Sequence, residues 1–223
     1  MGQTVTFKRP DGKDCNGYLA SPASGDSKAP GVVVIQEWWG LNDQIKSVAD
    51  RLVGLGYRAL VPDLYKGKVT LDAAEAKHLM TNLNFGDAAT QDVRGAAQHL
   101  KQSSAKVGVV GFCMGGALTV LAALYVKEVN ACSSWYGFPP EQAGDVKTIA
   151  VPLQLHFAEK DASFPPDGAR ALEAKLKEGK VPFESYWYDA GHAFDNETGQ
   201  NYNAQCAKLA WDRTTEFFAK HLK

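Results

Sequence analysis

The chain has 223 residues, of which 45% are hydrophobic and 22% are charged, and its formal net charge is −1. These values are ordinary for a globular protein, and we expect residues 1–223 to form a single domain that needs no disulfide to fold. Acids and bases are interspersed, so no electrostatic patch is predicted for nucleic acid or an anionic membrane. No apolar run approaches the roughly 20 residues that span a bilayer.

The cysteines give no sign of a metal or redox site. None of them forms a C-x-x-C pair, so no zinc or dithiol site is predicted. The N-terminal residues lack the hydrophobic core of a signal peptide. We therefore predict a cytoplasmic protein with reduced thiols, no metal and no organic cofactor. It would be a monomer or a small homo-oligomer, with neither nucleic acid nor a membrane as a partner.

The predicted elements begin with two short strands and then alternate between strands and helices. The first two strands cover residues 4–8 and 16–20, around a turn. Apolar, β-branched runs predict further strands at 31–36, 58–64, 106–112, 130–136, 151–157 and 183–188. Apolar residues at helical spacing predict helices near 42–56, 93–100, 115–127, 165–178 and 203–222. Residues 71–86 are ambiguous and are interpreted as a short helix that lies over the site.

This alternation indicates an α/β fold. Parallel strands need crossover connections, so we expect a mostly parallel sheet with helices on both faces. In open sheets of this kind, ligands bind beyond the carboxyl ends of the strands. The loops that follow the strands are therefore the places to search for functional residues.

The segment GFCMGG, residues 111–116, is the most informative part of the sequence. It follows a predicted buried strand and opens a predicted helix, which is the context of the G-x-S-x-G nucleophile turn, here with cysteine in place of serine. Side chains at Gly111 and Gly115 would collide with backbone in so tight a turn. The helix N-terminus would favour a thiolate at Cys113. The alternative is a core cysteine beside glycines that allow close packing.

A thiol nucleophile in this fold needs a histidine as its base and a carboxylate that orients the histidine. The expected chain order is nucleophile, acid, base. His192 comes after Cys113 and directly follows the last predicted strand, so it is the candidate base. Asp161 follows the preceding strand after a short loop and is the candidate acid, with Asp167 and Glu159 as alternatives.

The other histidines suit other roles. His156 lies inside an apolar strand and is expected to be a hydrogen-bonded core residue. His99 and His221 fall near helix C-termini, where a cation is favoured. His78 is expected at the surface.

These residues resemble the dienelactone hydrolase (carboxymethylenebutenolidase) family from about residue 31 to the C-terminus. The resemblance rests on the segments QEWWG (36–40), GFCMGG (111–116), WYG (135–137) and GHAF (191–194), together with Asp161. It implies an α/β-hydrolase fold and the opening of a small ester or lactone through a cysteine acyl-enzyme. It also implies a role for Glu37, since in this family the corresponding glutamate contacts the resting thiol and its displacement by substrate helps to form the thiolate.

The oxyanion hole of such an enzyme consists of two backbone N–H groups. We expect these to belong to Met114, which follows the nucleophile, and to Trp38, in the loop after the strand at 31–36. Four aromatic residues are candidates for the lining of an apolar pocket, although each is equally suited to an ordinary core: Trp39, Trp135, Tyr136 and Phe194.

One departure from the family bears on the substrate. Members that act on the dienelactone hold its carboxylate with two arginines. One lies in the segment before the nucleophile turn, and the other lies shortly after the catalytic histidine. Residues 71–86 contain no arginine, and neither do the four residues after His192. Lysine or histidine would replace a bidentate arginine poorly. The alternatives are therefore a broad carboxylesterase or thioesterase with a neutral ester substrate, and a non-catalytic binding protein of the same fold.

Overall fold

The computed structural model describes residues 2–22 and 29–223. The strands are β1 (Gln3–Lys8), β2 (Asp14–Ala20), β3 (Gly31–Ile35), β4 (Arg58–Pro62), β5 (Val107–Phe112), β6 (Ala131–Trp135), β7 (Leu153–Ala158) and β8 (Phe183–Tyr188). The α-helices are α1 (Asp43–Gly54), α2 (Ala73–Asn82), α3 (Phe85–Asp87), α4 (Arg94–Lys101), α5 (Met114–Tyr125), α6 (Pro166–Glu178) and α7 (Ala204–Leu222). A π-helical turn, Ala88–Val93, joins α3 to α4.

Within this described part of the chain, all eight strands form one sheet in the order β1-β2-β4-β3-β5-β6-β7-β8. The pairings of β1 with β2 and of β2 with β4 are antiparallel. Every pairing from β4 through β3 to β8 is parallel. The predicted mostly parallel sheet is therefore confirmed.

Helices cover both faces of the sheet, as predicted. The hydrophobic cluster on one face contains residues of α1 and α7, such as Ile45 and Phe218. The cluster on the other face contains residues of α4, α5 and α6, such as Leu118. Strands β3 and β5 lie in the middle and are buried at every residue. Their uninterrupted apolar sequences follow from this burial on both faces.

Strand β4 ends at Pro62, two residues before the predicted end. The chain turns at Asp63, whose carboxylate accepts hydrogen bonds from the backbone N–H groups of Tyr65 at 3.2 Å and of Gly67 at 2.6 Å. Aspartate competes in this way with strand pairing, because its side chain offers the backbone a local alternative.

The helix predicted at 93–100 is the last part of a longer helical segment. This segment begins at Phe85 and runs through α3 and the π-helical turn into α4. Its start is tied to the N-terminal hairpin by Arg9, a buried residue whose guanidinium contacts Asp92 Oδ1 and Asp87 Oδ2 at 3.0 Å each. These contacts join positions that are far apart in the sequence, so no local pattern revealed them.

The ambiguous segment 71–86 contains α2, which begins after Asp72. The Asp72 carboxylate accepts a hydrogen bond from the N–H of Glu75 at 2.8 Å and caps the helix. Only Ala76 of this helix is buried. A short helix was predicted here, and its position over the site as a lid stays a prediction. No helix within 2–22 and 29–223 is both long and apolar enough to cross a membrane.

Candidate active site

Cys113 lies in a sharp turn between β5 and α5. Its φ of 58° and ψ of −120° are strained values for a residue with a side chain. A Cβ at Gly111 would lie 2.1 Å from the carbonyl oxygen of Gly115, and one at Gly115 would lie 2.5 Å from that of Ile35. Both glycines are thus required by backbone contacts, as the sequence predicted, and the turn holds Cys113 at the carboxyl edge of the sheet.

A third glycine, which contacts the turn from a neighbouring loop, was quoted in the sequence without a physical reason. Gly137 follows β6, and a Cβ there would lie 1.9 Å from the carbonyl oxygen of Cys113 and 2.9 Å from the nitrogen of Ala117. The N–H of Cys113 also donates to the carbonyl of Trp135 at 3.1 Å. The loop after β6 is therefore pressed directly against the turn. A glycine at a strand end is the only local signal of this contact.

Replacing Gly137 with alanine is expected to destabilise the protein by about 3 kcal/mol or more, because the new methyl group meets backbone atoms that cannot rotate away. Chemical denaturation monitored by circular dichroism measures this change. Gly54→Ala is the matched control, since a Cβ at this helical position meets nothing within 4 Å. We expect the control to be neutral or stabilised by about 0.5–1 kcal/mol. Equal stabilities of the two variants would contradict the close approach.

His192 and Asp161 lie together in the loops after β8 and β7. His192 Nδ1 donates to Asp161 Oδ2 at 2.8 Å. The other oxygen, Oδ1, accepts the backbone N–H groups of Ser163 and Phe164, both at 2.8 Å. Each oxygen of this buried carboxylate is thus engaged, and the hydrogen bonds fix the side chain that orients the imidazole. On its opposite side, His192 interacts with the Cys113 thiol, and this interaction acts to lower the pKa of the thiol.

The structure therefore brings Cys113, His192 and Asp161 together at one site. The alternative acids stand apart from it, since Asp167 is exposed in the first turn of α6 and Glu159 is also exposed. His156 is fully buried, with its ring nitrogens 2.7 Å from the Tyr188 hydroxyl and 2.9 Å from Gln154 Oε1, as expected of a core residue. The other three histidines lie where they were predicted: His78 is exposed, and His99 and His221 occupy last turns of helices.

Burial and hydrogen bonding act in opposite directions on the candidate base. Burial disfavours the charged imidazole, but the hydrogen bonds to Asp161 and Cys113 outweigh it and raise the pKa of His192 to about 10. Burial raises the pKa of the Cys113 thiol, and the contact with His192 offsets this only in part. The imidazole is thus a strong base, whereas the pKa of the buried thiol stays above its ordinary value.

Glu37 is buried directly after β3 and is held by three donors. The Tyr136 hydroxyl donates to its Oε1 at 3.2 Å, and Asn196 Nδ2 donates to its Oε2 at 2.8 Å. The Trp39 side chain provides a further hydrogen bond. Burial raises the pKa of Glu37, and these donors oppose that effect. After burial itself, the charge of Glu37 also raises the pKa of the Cys113 thiol, so the two groups are electrostatically linked.

Asn196 was missed as a site residue. Its Oδ1 accepts hydrogen bonds from the N–H and hydroxyl of Thr198 at 3.0 and 2.7 Å. This fixes the amide so that its NH₂ group faces Glu37. In the sequence the position was noted only because it is not an arginine.

The backbone at the expected oxyanion hole lies against the nucleophile turn. Met114 opens α5, and its N–H contacts the Cys113 thiol. Trp38 lies in the loop after β3, and the start of that loop reaches the turn, since the carbonyl of Gln36 would be 2.6 Å from a Cβ at Gly115. The far side of the loop is fixed by the N–H of Thr70, which donates to the Trp39 carbonyl at 3.1 Å. The roles of Met114 and Trp38 as donors to an oxyanion stay predictions.

The predicted pocket aromatics fall into two groups. Tyr136 contacts the His192 ring edge-on at 5.4 Å, and Trp39 is half-buried beside Glu37. Trp135 and Phe194 are completely buried and pack beneath the site, with ring centroids 6.0 Å apart, so they present no surface to a substrate in this conformation. Phe164, which sequence reasoning missed, stacks on His192 at 5.7 Å and is partly exposed.

The unusual backbone geometry beside His192 belongs to the residue that follows it. The positive φ, 60°, is that of Ala193 and not of Gly191. A Cβ at Gly191 would instead lie 3.1 Å from the side chain of Asn201, whose Nδ2 donates to the His192 carbonyl at 3.0 Å. Gly191 is therefore a site of close packing rather than of unusual backbone geometry.

Three arginines from elsewhere in the chain are candidates to replace a carboxylate clamp, and each has another partner. Arg94 pairs with Glu128 at 3.0 Å, Arg170 lies over the ring of Trp187, and Arg213 donates to the Tyr188 hydroxyl at 3.1 Å. Over residues 2–22 and 29–223, no group of three or more metal-binding side chains occurs.

The chain resembles known proteins in its sequence and in its fold. Residues 15–222 match the model of the dienelactone hydrolase family. The chain is 35% identical over 234 residues to "Protein usf" of Aquifex pyrophilus, and 31% identical over 235 residues to "Putative carboxymethylenebutenolidase" of Aquifex aeolicus; both matches cover 100% of each chain. Its fold superimposes with a TM-score of 0.88 on a dienelactone hydrolase-like promiscuous phosphotriesterase from metagenomic libraries, at 25% identity over 100% of this chain and 99% of that one. The fold is that of the α/β-hydrolases.

Proposed function

Because the chain belongs to the dienelactone hydrolase family, we propose that it opens a small activated ester or lactone through a cysteine acyl-enzyme. The observation that carries the proposal is the grouping of Cys113, His192 and Asp161 at the carboxyl edge of the sheet, where Asp161 holds the imidazole that interacts with the thiol. A nucleophile, a base and an orienting carboxylate in this arrangement suit acyl transfer.

The first half of the reaction forms a thioester. His192 takes the thiol proton, and the Cys113 thiolate attacks the ester carbonyl to give a tetrahedral oxyanion. The N–H groups of Met114 and Trp38 stabilise this oxyanion. The intermediate collapses with cleavage of the C–O bond, and the alcohol or enolate leaves with a proton from His192. Asp161 holds the imidazole in the tautomer that these transfers need.

The second half releases the acid. His192 removes a proton from a water molecule, which attacks the thioester carbonyl. The C–S bond then breaks, and the thiolate recovers its proton from His192. Glu37 assists by setting the charge beside the thiol, and its displacement by substrate would lower the barrier to thiolate formation. No cofactor takes part in this sequence.

The chemistry of sulfur restricts the substrate. A thiolate is a better leaving group than an alkoxide, so the tetrahedral intermediate of a simple alkyl ester tends to return to the starting ester. Enol lactones and aryl esters have better leaving groups, which compete with the thiolate for departure from the tetrahedral intermediate. This favours activated esters over alkyl esters and amides.

A second candidate is a broad carboxylesterase or thioesterase with a neutral substrate. The observation that favours it is the engagement of Arg94, Arg170 and Arg213 by partners outside the candidate triad. The carboxylate of Asp161 in the triad, and that of Glu37, whose charge acts on the Cys113 thiol, would also repel a substrate carboxylate. A non-catalytic binding protein is the less favoured alternative, because every triad position is filled.

The proposal is tested by rapid quench of the protein with p-nitrophenyl acetate, followed by peptide mass spectrometry. We expect one acetyl group on the peptide that contains Cys113, formed in a burst with p-nitrophenolate release. The peptides of Cys15, Cys132 and Cys206 serve as internal controls and should stay unlabelled. Turnover with no acetyl group on Cys113 would contradict the acyl-enzyme.

The substrate class is tested by the steady-state kinetics of a dienelactone and p-nitrophenyl acetate side by side. Efficient turnover of the lactone supports the first candidate and requires that groups other than arginine hold its carboxylate. Turnover of the neutral ester alone supports the second candidate. Binding of both compounds without turnover supports the non-catalytic alternative.

A further inference from the structure

Asp195 is a buried carboxyl group that the proposed mechanism does not use. It lies three residues after His192 and directly before Asn196, and only 4% of its surface is exposed. Its Oδ1 accepts a hydrogen bond from Trp211 Nε1 at 2.8 Å. Its Oδ2 is buried and has no hydrogen-bond partner in the described part of the protein. An unsatisfied buried carboxylate oxygen destabilises a fold, so its presence at this position calls for a functional reason.

The outer side of Asp195 faces Arg51 of α1. Arg51 Nη1 lies 3.8 Å from Asp195 Oδ1, and the guanidinium stacks over the Trp211 ring at 4.3 Å. All three residues line a cleft of about 490 Å³ between α1 and α7. The Arg51 side chain is 40% exposed, whereas that of Asp195 is 2% exposed. The positive charge is therefore screened by solvent and only partly balances the buried carboxyl.

Asp195 is linked to the cluster around Glu37 through the next residue in the chain. The next residue, Asn196, donates to Glu37 Oε2 at 2.8 Å, and Tyr136 donates to the other oxygen. Burial, followed by the charges of Glu37, Asp195 and Cys113, raises the pKa of the Tyr136 hydroxyl well above its ordinary value. The two carboxyls and the thiol thus act on the same tyrosine, which stays protonated between them.

We propose that Asp195 is a positioning residue. Its protonation state sets the negative charge of the buried cluster that contains Glu37 and, through Glu37, controls how readily Cys113 forms its thiolate. When Asp195 is protonated, Glu37 holds the negative charge nearest the thiol. When Asp195 is ionised, a second negative charge enters the same buried cluster and opposes the thiolate. Arg51 favours the ionised form from the cleft. The inference rests on the proposed function only in taking Cys113 as the nucleophile.

The pKa of Asp195 lies near neutral pH, so its charge changes within the pH range of the experiment below. Burial is the main cause that raises its pKa to about 7; Glu37 and Glu197 add to this, and Arg51 and Trp211 oppose it. The charged groups facing Asp195 come from three parts of the fold: Arg51 of α1, Glu37 after β3 and Glu197 of its own loop. Lys208 of α7, which also lines the cleft, is paired with Asp212 at 2.7 Å.

The test is the rate of alkylation of Cys113 by iodoacetamide as a function of pH, followed by peptide mass spectrometry. Asp195→Asn keeps an oxygen that can accept the Trp211 hydrogen bond but cannot ionise. We expect it to raise the rate about three- to tenfold near pH 8.5 and to leave the rate near pH 5.5 unchanged, as expected for removal of one partly screened charge. The inflection that wild type shows near pH 7 should vanish.

Two further variants separate this role from a structural one. Glu197→Gln removes the same charge from an exposed neighbour in the same loop. Solvent screens that charge, so the inflection should move only slightly to lower pH and the alkylation rate near pH 8.5 should stay that of wild type. Arg51→Gln should move the inflection to higher pH by about half a unit, because ionised Asp195 loses its counter-charge. Superimposable curves for wild type and Asp195→Asn, or an equal effect of Glu197→Gln, would overturn the proposal. Alkylation needs no turnover, so such a result leaves the hydrolase proposal intact, and the acetylation of Cys113 tests that proposal separately.

Discussion

Cys113→Ala is expected to lower kcat for p-nitrophenyl acetate by about 10⁴-fold or more, because the acyl-enzyme route disappears with the thiol. The residual rate would come from the oxyanion donors and from substrate binding, which the change leaves in place. The substitution removes one sulfur atom at a position held by backbone contacts of Gly111, Gly115 and Gly137, so the turn itself should persist. The measurement is steady-state kinetics with circular dichroism as a check on folding.

The matched control for this variant is Cys206→Ala, which removes a half-buried thiol from the start of α7. It should retain the wild-type rate within about twofold, as do most substitutions away from the reacting groups. Activity that survives the loss of Cys113 would rule out the proposed nucleophile. Equal losses in the two variants would indicate a general effect on folding.

Asp161→Asn is expected to lower kcat by about 10³–10⁴-fold through the tautomer of His192. The amide oxygen would keep the two N–H donors from Ser163 and Phe164 that now bind Oδ1. The amide NH₂ group would then face His192 Nδ1, which must become an acceptor. The imidazole proton moves to Nε2 and points at Cys113, so the ring can no longer take the thiol proton. Steady-state kinetics measures the loss.

Asp167→Asn makes the same chemical change at the alternative acid, which is exposed in the first turn of α6. Its activity should stay near that of wild type, and stability should fall by no more than about 0.5–1 kcal/mol through the weaker interaction with the helix dipole. A large loss at Asp167 with full activity at Asp161 would reverse the assignment.

The parts of the fold that the sequence predicted depend on local patterns. β3 and β5 are buried on both faces, and a strand in that position has an uninterrupted apolar sequence. The turn at Cys113 needs glycine at fixed spacing, because backbone atoms fill the space of a side chain there. Asp161 and His192 could be located because they directly follow strands of a parallel sheet, whose carboxyl ends meet at one edge.

The parts that were missed depend on contacts between distant positions. Asn196 matters because it reaches Glu37, 159 residues earlier in the chain. Phe164 matters because its ring stacks on His192, and nothing in its neighbourhood in the sequence marks that contact. Trp135 and Phe194 were proposed as pocket residues because aromatic composition does not distinguish a pocket wall from a core. Packing in three dimensions makes that distinction.

The distribution of the site over the chain also bears on how the protein can be divided. Cys113 and Asp161 precede β8, whereas His192 and Asn196 follow it, and β8 is held to β7 by parallel pairing along its whole length. A fragment that ends before β8 carries the nucleophile and the acid without a base, and the complementary fragment carries the base alone. Hydrolysis would then require reassociation of the two pieces through the β7–β8 pairing, which would make this chain a candidate split reporter whose signal measures fragment complementation.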